Sequence, residues 1–203
     1  VQLTVQRIDL SGAALSATIQ TRAYDGSASA TVTASSIGSS GLRANTDYTI
    51  SSAEFEDKNA EEGKKVTVKV TLTNTNYCFG YDANKRPIME KTFKTTGTII
   101  QNTTPIEKSE KIEVYSGVAH TYTVDLDACL NDLQNLGIES YEITEKNIVV
   151  AKLIDANQVV LEGHSLKIPV NAVITTPSTE AAKFTITVTC KNYSDVTIRV
   201  RVV

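Results

Sequence analysis

The sequence predicts an all-β protein made of two small antiparallel β domains in tandem. Along its clearest segments, apolar and polar residues alternate with a period of two, as in strands that are buried on one face. Threonine, valine and serine are abundant and tryptophan is absent, a composition suited to half-buried strands. A similar order of motifs also occurs twice within the 203 residues. Self-similarity of this kind is typical of module arrays.

The repeated order consists of a Tyr-x-Gly signature, a later alternating strand and a closing Asn-Tyr pair. The first copy begins at Tyr24-Asp25-Gly26 and closes at Asn76-Tyr77. The second begins at Tyr115-Ser116-Gly117 and closes at Asn192-Tyr193. The two copies differ in length, which favours a repeated architecture over a tight solenoid.

The stretch between the two copies has no apolar periodicity and contains Pro105. Such stretches mark domain boundaries. We therefore predict a first β module at 1–101, a linker at 102–108 and a second module at 109–203.

Three segments show the strand alternation best. Pro169 interrupts the second of them, and because proline cannot donate to a sheet ladder, we expect an edge strand there. The inward residues are Val66, Val68, Val70 and Leu72 in the first segment, Leu166, Ile168, Val170, Ala172 and Ile174 in the second, and Val196, Ile198, Val200 and Val202 in the third.

One short helical segment is predicted, in the second module. From Asp125 to Leu136, leucines recur at helical spacing, aspartates are available to cap the start, and Gly137 follows the end. We expect one or two turns that cover an open end of the core. Each module is predicted to be an immunoglobulin-like sandwich, with a β-grasp-like sheet as the alternative.

The signature itself is predicted to be structural. Asp25 can accept hydrogen bonds from neighbouring backbone N–H groups, Gly26 can adopt positive φ, and the Tyr24 ring can pack against the module. Asn76 and Asn192 are expected to shape the turn after a strand. A buried Tyr77 or Tyr193 hydroxyl would then bind the backbone, as in a tyrosine corner.

These motifs carry a family resemblance. The first half resembles the YDG repeat of bacterial surface and adhesin-like proteins over residues 1–101, and the second half more loosely resembles tandem modules of cell-wall-attached proteins of Gram-positive bacteria. The resemblance implies an all-β, extracellular and non-enzymatic protein. The matching segments are Thr21-Arg22-Ala23-Tyr24-Asp25-Gly26-Ser27, Ala53-Glu54-Phe55-Glu56-Asp57-Lys58-Asn59-Ala60, Gly63-Lys64-Lys65-Val66, Asn76-Tyr77 and Thr96-Gly97-Thr98-Ile99.

Charge and hydropathy exclude several classes of partner. The net charge is -3 and no apolar run approaches the length of a membrane span, so we expect neither nucleic-acid binding nor membrane insertion. The expected partners are neighbouring modules of the same polypeptide and host or cell-wall glycans or proteins. We expect the chain itself to be a monomer.

No catalytic or cofactor site is predicted. His120 and His164 lie in or beside predicted strands, without a G-x-S-x-G elbow or zinc-ligand spacing. Calcium is the ion that the sequence fits best, although the acidic residues could equally be solvated or cap a helix. The candidate ligands are Glu54, Glu56, Asp57, Glu61 and Glu62 in the first module, and Asp125, Asp127 and Asp132 in the second.

Two covalent cross-links are also considered. Cys129 and Cys190 could pair, although each also reads as a small apolar residue. An internal Lys–Asn isopeptide bond is not expected in the second module, because Lys111 points outward there, beside the inward Ile112. The first module has no lysine in its opening strand, 2–10.

The sequence therefore predicts non-enzymatic repeat modules of a bacterial surface protein that act as a stalk or adhesive region. The alternative is a carbohydrate-binding module of a secreted glycoside hydrolase. For that alternative, the exposed aromatic candidates are Tyr48, Tyr81 and Tyr141.

Overall fold

The computed structural model describes residues 6–115, 117–172 and 180–203. It is built from strands with one short helix, so the predicted all-β class is confirmed. The chain divides into two compact units, Val1–Ile100 and Gln101–Val203.

The described residues of unit 1 form three small sheets. A four-stranded sheet has the order β3-β8-β6-β5, β2 pairs with β4, and β1 runs parallel to β7. The strands are β1 (Ile8–Asp9), β2 (Leu15–Ile19), β3 (Arg22–Ala23), β4 (Val32–Ile37), β5 (Tyr48–Phe55), β6 (Glu61–Leu72), β7 (Tyr77–Cys78) and β8 (Glu90–Ile100).

Strand β6 shows why the alternating sequence folds in this way. Its inward residues Val66, Val68, Val70 and Leu72 are all buried, while Thr67 is exposed. Full burial of one such aliphatic side chain contributes about 1.5–3 kcal/mol. The face predicted from the sequence is therefore the face that stabilises the sheet.

Strands β2 and β8 approach each other closely at Gly97. A Cβ atom at this position would lie 2.7 Å from a methyl group of Ile19. The Thr95 hydroxyl also donates to the Ala17 carbonyl at 3.2 Å. Only glycine leaves room for this contact, which packs the β2–β4 pair against the larger sheet.

Unit 2 contains seven described strands in two sheets. One sheet has the order β10-β13-β12 and the other β11-β14-β15-β9, with β9 parallel to β15. Buried residues of both sheets belong to a single hydrophobic core. The strands are β9 (Ile106–Ile112), β10 (His120–Asp125), β11 (Ile138–Ile148), β12 (Val160–Glu162), β13 (Ser165–Val170), β14 (Ala182–Cys190) and β15 (Val196–Val202).

The edge-strand prediction for Pro169 is wrong, because β13 is the central strand of its sheet. Pro169 is tolerated there because β12 pairs with residues 165–167, so among the described strands only β10 pairs with β13 at Pro169. The predicted strand ends at Val170, and Ile174 lies outside the described residues.

The predicted helix of one or two turns is confirmed as a single turn at the start of the leucine pattern. Helix α1 covers Leu126–Cys129, with Asp125 as its N-cap. After Leu130 the chain continues in turns, and Asn135 and Gly137 adopt positive φ of 61° and 64°. The leucine spacing reflects burial instead: Leu126, Leu130 and Leu136 all enter the core.

The start of unit 2 is ordered earlier than the predicted linker implies. Residues 106–108, assigned to that linker, form the first part of β9. Asn102 already bridges Tyr193. Farther along β9, Lys111 is exposed and pairs with Glu113 at 2.7 Å, so its outward orientation is confirmed.

Candidate functional site

The Tyr24-Asp25-Gly26 signature forms the turn that its residue types predict. Gly26 has φ of +82°, and the Asp25 carboxylate accepts the Ser27 backbone N–H at 2.8 Å. The Tyr24 side chain is buried, and its backbone N–H donates to the Ile100 carbonyl at 2.8 Å. The turn is therefore fixed to the end of β8.

Arg22 organises this loop, a role that the sequence analysis did not assign. Its guanidinium donates to the backbone carbonyls of Ser27, Ser29 and Ala23. It also pairs with Asp25 at 2.6 Å and lies over the Phe55 ring, 5.6 Å from its centroid. The spacing of Arg22 and Asp25, three residues apart, was the available signal.

The electrostatics of the loop favour an ionised Asp25. The hydrogen bond from the Ser27 backbone N–H lowers the pKa of this carboxyl group most. The Ser27 side chain and Arg22 lower it further by smaller amounts. The charge of Arg22 is in turn matched by Asp25 and by carbonyl dipoles. The charged groups of the signature therefore satisfy one another.

Two of the five predicted calcium ligands of the first module, Asp57 and Glu61, contact a buried lysine. The side chain of Lys64 is fully buried, and its ammonium contacts Asp57 at 2.6 Å, the Asn59 carbonyl at 2.9 Å and Glu61 at 3.4 Å. An ammonium ion occupies the position where a metal ion would be needed. Within the described residues, no group of three or more metal-binding side chains is present. The other candidates, Glu54, Glu56 and Glu62, are exposed.

Both cation-centred loops lie at one end of the four-stranded sheet. Arg22 and Glu61 are each paired with Ile99 of β8. A scan against family models matches this part of the chain to the YDG domain, over residues 11–85.

Residues 11–85 form a YDG domain. The matched stretch includes the Arg22 loop, the Lys64 loop and Asn76-Tyr77. Searches of curated proteins and of solved structures gave no match.

The second Tyr-x-Gly signature, outside the YDG domain, has different surroundings. Gly117 again has positive φ, at +79°, but the Tyr115 ring is 74% exposed, against 3% for Tyr24. The Tyr115 backbone N–H donates to the Tyr122 hydroxyl at 3.2 Å. Ser116 lies outside the described residues.

The two Asn-Tyr pairs differ in the opposite sense. Asn192 is buried, and its side-chain amide donates to the Asn135 carbonyl at 2.6 Å, whereas Asn76 in the YDG domain is exposed. Within the described residues, the Tyr77 hydroxyl makes no hydrogen bond, so no tyrosine corner forms there. Asn74 takes over the turn by accepting the Asn76 N–H at 3.0 Å and donating to Asp47 at 2.9 Å.

The structure brings together three side chains at the surface of unit 2 that the sequence did not connect. Asp127 of α1 accepts the Tyr141 hydroxyl at 2.5 Å, and its other oxygen lies 2.8 Å from His164 Nδ1. The rings of Tyr141 and His164 are tilted, with centroids 5.3 Å apart. His164 also accepts the Leu126 N–H on its backbone carbonyl. The Gly163-His164 hairpin tip is thereby tied to the start of α1.

This cluster holds Asp127 in its ionised form. The Tyr141 hydroxyl, and then His164, lower the pKa of the Asp127 carboxyl group. Burial, and then the negative Asp127, raise the pKa of the Tyr141 hydroxyl. The cluster is a hydrogen-bonded network around one carboxylate.

An Asp–His pair is one part of a hydrolytic triad, which also requires a nucleophile bonded to the imidazole. Among the described residues, no serine or cysteine hydrogen-bonds His164. The other histidine, His120, makes an edge contact with the Tyr122 ring at 4.8 Å between centroids.

All three cysteines carry free thiols. Cys190 lies in the unit 2 core and Cys129 packs against it, as expected of small apolar residues. Burial raises the pKa of both thiols, which keeps them protonated. Within the described residues, no helix has the length and hydropathy needed to span a membrane.

Proposed function

We propose that the chain forms non-enzymatic repeat modules of a bacterial cell-surface protein, acting as a stalk, spacer or adhesive region. One observation carries the proposal. The charged side chains of the YDG loops, Arg22, Asp25, Asp57, Glu61 and Lys64, bind protein groups. Such pairing serves the architecture of a module and leaves its loops without a reactive group.

We further propose that unit 2 is an immunoglobulin-like module. Its seven described strands form sheets of three and four, and the orders β10-β13-β12 and β11-β14-β15 correspond to the B-E-D and C-F-G orders of such domains. The difference lies in β9, which pairs in parallel with β15 instead of joining the other sheet.

Surface exposure is tested by brief protease treatment of intact cells of the source organism, followed by mass spectrometry of the released peptides. We expect peptides of this chain among those released, together with known surface proteins. Their appearance only after lysis, with cytosolic markers, would contradict the proposal.

The absence of catalysis is tested by a broad hydrolase screen with the full chain. We expect turnover at the level of buffer. Activity that is lost in His164→Ala or His120→Ala, while urea unfolding of the variant stays unchanged, would overturn this part.

Carbohydrate binding is the second candidate, and the Tyr141–His164 ring pair beside Asp127 favours it. A half-buried tyrosine ring and an exposed imidazole beside a carboxylate are suited to pack on and hydrogen-bond a sugar. Of the other two aromatic candidates for sugar binding, Tyr48 is buried and therefore excluded, whereas Tyr81 is 45% exposed. On a glycan array, binding that is lost in Tyr141→Ala and kept in the control Tyr115→Ala would establish this function.

A further inference from the structure

The YDG domain has an opening between strands β4 and β5. The segments start as an antiparallel pair, with the Ala30 N–H donating to the Ala53 carbonyl at 2.9 Å. Strand β4 then pairs with β2, and β5 with β6. Across the opening, where every residue is described, no hydrogen bond joins residues 31–34 to 49–52.

The two segments also contact each other on both sides of this opening. Ser29 faces Glu54 in an antiparallel bridge at one end. Six residues farther along each strand lie Ser35 and Tyr48, and there the Tyr48 hydroxyl donates to the Ser35 carbonyl at 2.8 Å. One backbone contact and one side-chain contact between the two segments therefore flank the opening.

Two β-bulges flank the opening. Thr33 is the extra residue of β4 opposite β2, and Ser51 is the extra residue of β5 opposite β6. Each uses its hydroxyl group to bind the partner strand, Thr33 to the Thr18 carbonyl and Ser51 to the Lys69 carbonyl, both at 3.2 Å. Bulges bend strands and recur beside functional sites. Here the two bulges, at Thr33 and Ser51, lie on opposite sides of the same opening.

The opening has a volume of about 450 Å³ and is lined by uncharged residues. Its long walls are the free edges of two strands, which present backbone N–H and C=O groups. The ring of Tyr48, which closes one end, is itself buried. The lining residues are Ala30, Thr31, Val32, Thr33, Ala34, Ser35, Ala44, Asn45, Ile50, Ser52 and Ala53.

We propose that this opening binds an extended, uncharged segment of a partner polypeptide, which inserts as a strand between β4 and β5. Strand addition satisfies backbone groups on sheet edges, and this opening offers an edge on each side. The absence of lining charges matches a neutral segment, and the absence of a lining aromatic ring disfavours a stacked sugar. Residues 31–35 span roughly 16 Å at ~3.3 Å per residue, the length of a five-residue strand.

The test measures fluorescence anisotropy with the full chain and a fluorescein-labelled peptide. The probe is Leu-Ser-Ala-Thr-Ile-Gln, the uncharged sequence of residues 15–20, which already pairs with β4 in the form of β2. We expect saturable binding with a Kd below about 1 mM. Ala34→Trp fills the opening from an exposed position and should weaken binding by about tenfold or more, whereas the control Ala83→Trp, in an exposed loop, should not.

A second peptide with proline at alternate positions tests the role of the backbone. It lacks the N–H donors of a strand and should not bind. No saturation by about 1 mM, equal binding to Ala34→Trp, or equal binding of the proline peptide would overturn the proposal. So would displacement of the probe by chitotetraose, which assigns the site to a glycan, or self-association that Ala34→Trp abolishes, which assigns it to a second copy.

Discussion

The two Tyr-x-Gly signatures share a sequence pattern and a backbone turn, but their tyrosines have opposite surroundings. Gly26 and Gly117 have φ of +82° and +79°. Tyr24 is 3% exposed, whereas Tyr115 is 74% exposed. The glycine thus determines the turn, and other residues determine whether the tyrosine is an anchor.

The residues two positions before each tyrosine account for much of this difference. Arg22 precedes Tyr24 and binds the loop carbonyls and Asp25. The corresponding residue before Tyr115 is Glu113, which pairs with Lys111 on its own strand. In the first turn a cation thus draws the following residues into a compact loop.

The largest contrast is expected on removal of the two rings. Tyr24→Ala should lower the free energy of unfolding of unit 1 by about 3–4 kcal/mol, because a buried ring is replaced by a cavity. Tyr115→Ala should change that of unit 2 by less than about 0.5 kcal/mol, because the ring is exposed. Urea titration followed by residue-resolved NMR reports the two units separately.

Tyr24→Phe provides the control for this comparison. It keeps the ring and should lose less stability than Tyr24→Ala. Equal losses for Tyr24→Ala and Tyr115→Ala would break the distinction between the two turns.

At the closing Asn-Tyr pairs, we expect the larger loss of stability in unit 2 and the smaller one in unit 1. Asn192→Ala should destabilise unit 2 by about 2 kcal/mol, because it leaves the Asn135 carbonyl without the amide donor and removes a buried side chain. Asn76→Ala should have little effect on unit 1, since Asn74 shapes that turn. The same NMR-detected titration measures both, and a larger loss for Asn76→Ala would contradict the assignment.

Substitution of the glycine should lower stability by a similar amount in both turns, because the two turns share the same backbone conformation. Alanine at positive φ is strained, so Gly26→Ala and Gly117→Ala should each cost about 1 kcal/mol. At Gly26 the added methyl group would meet no backbone, since the only atom near it is the Tyr24 hydroxyl at 3.9 Å. Thermal unfolding of the two variants checks this, and a loss in only one of them would show that the turns differ in backbone as well.

The sequence predicted the features that follow from local periodicity and turn chemistry. The buried faces of β6 and β15, the Asp25–Gly26 turn and the Asp125 helix cap are examples. It predicted the short helix α1 but not the turns that follow it, because leucines in turns can enter a core at helix-like spacing. Pro169 was misplaced because the length of a neighbouring strand is not encoded locally.

The site was less predictable because its contacts are not periodic. Lys64 is a buried charge within an otherwise polar run, and nothing in that run distinguishes it from the exposed Lys65. The cluster of Asp127, Tyr141 and His164 assembles from α1, β11 and a hairpin tip that are distant in sequence. Tertiary packing decides both.

The smallest expected effect is a dependence of unit 1 stability on acidic pH, caused by Asp25. The pKa of Asp25 is lower in the folded state, so its contribution is complete above the unfolded value near 3.8 and is lost as pH falls through the folded pKa. The effect should stay below about 0.5 kcal/mol because the carboxylate is largely exposed. When the pH is lowered from neutral to about pH 2, the free energy of unfolding of unit 1 should therefore fall slightly less in Asp25→Asn than in the wild type. If urea titrations show an equal or larger loss of stability for Asp25→Asn, the ionised Asp25 carboxylate does not stabilise unit 1.

Amide hydrogen exchange of the unmodified full chain, resolved by NMR, tests the distinction between an anchored and an exposed turn most directly. The Tyr24 amide is bonded to the Ile100 carbonyl beneath a buried ring, whereas Val118 beside the second turn is 56% exposed. We predict that Tyr24 exchanges at least about a hundredfold more slowly than Val118, relative to unstructured peptides. Similar protection at the two positions would contradict the claim that only the YDG turn anchors its unit.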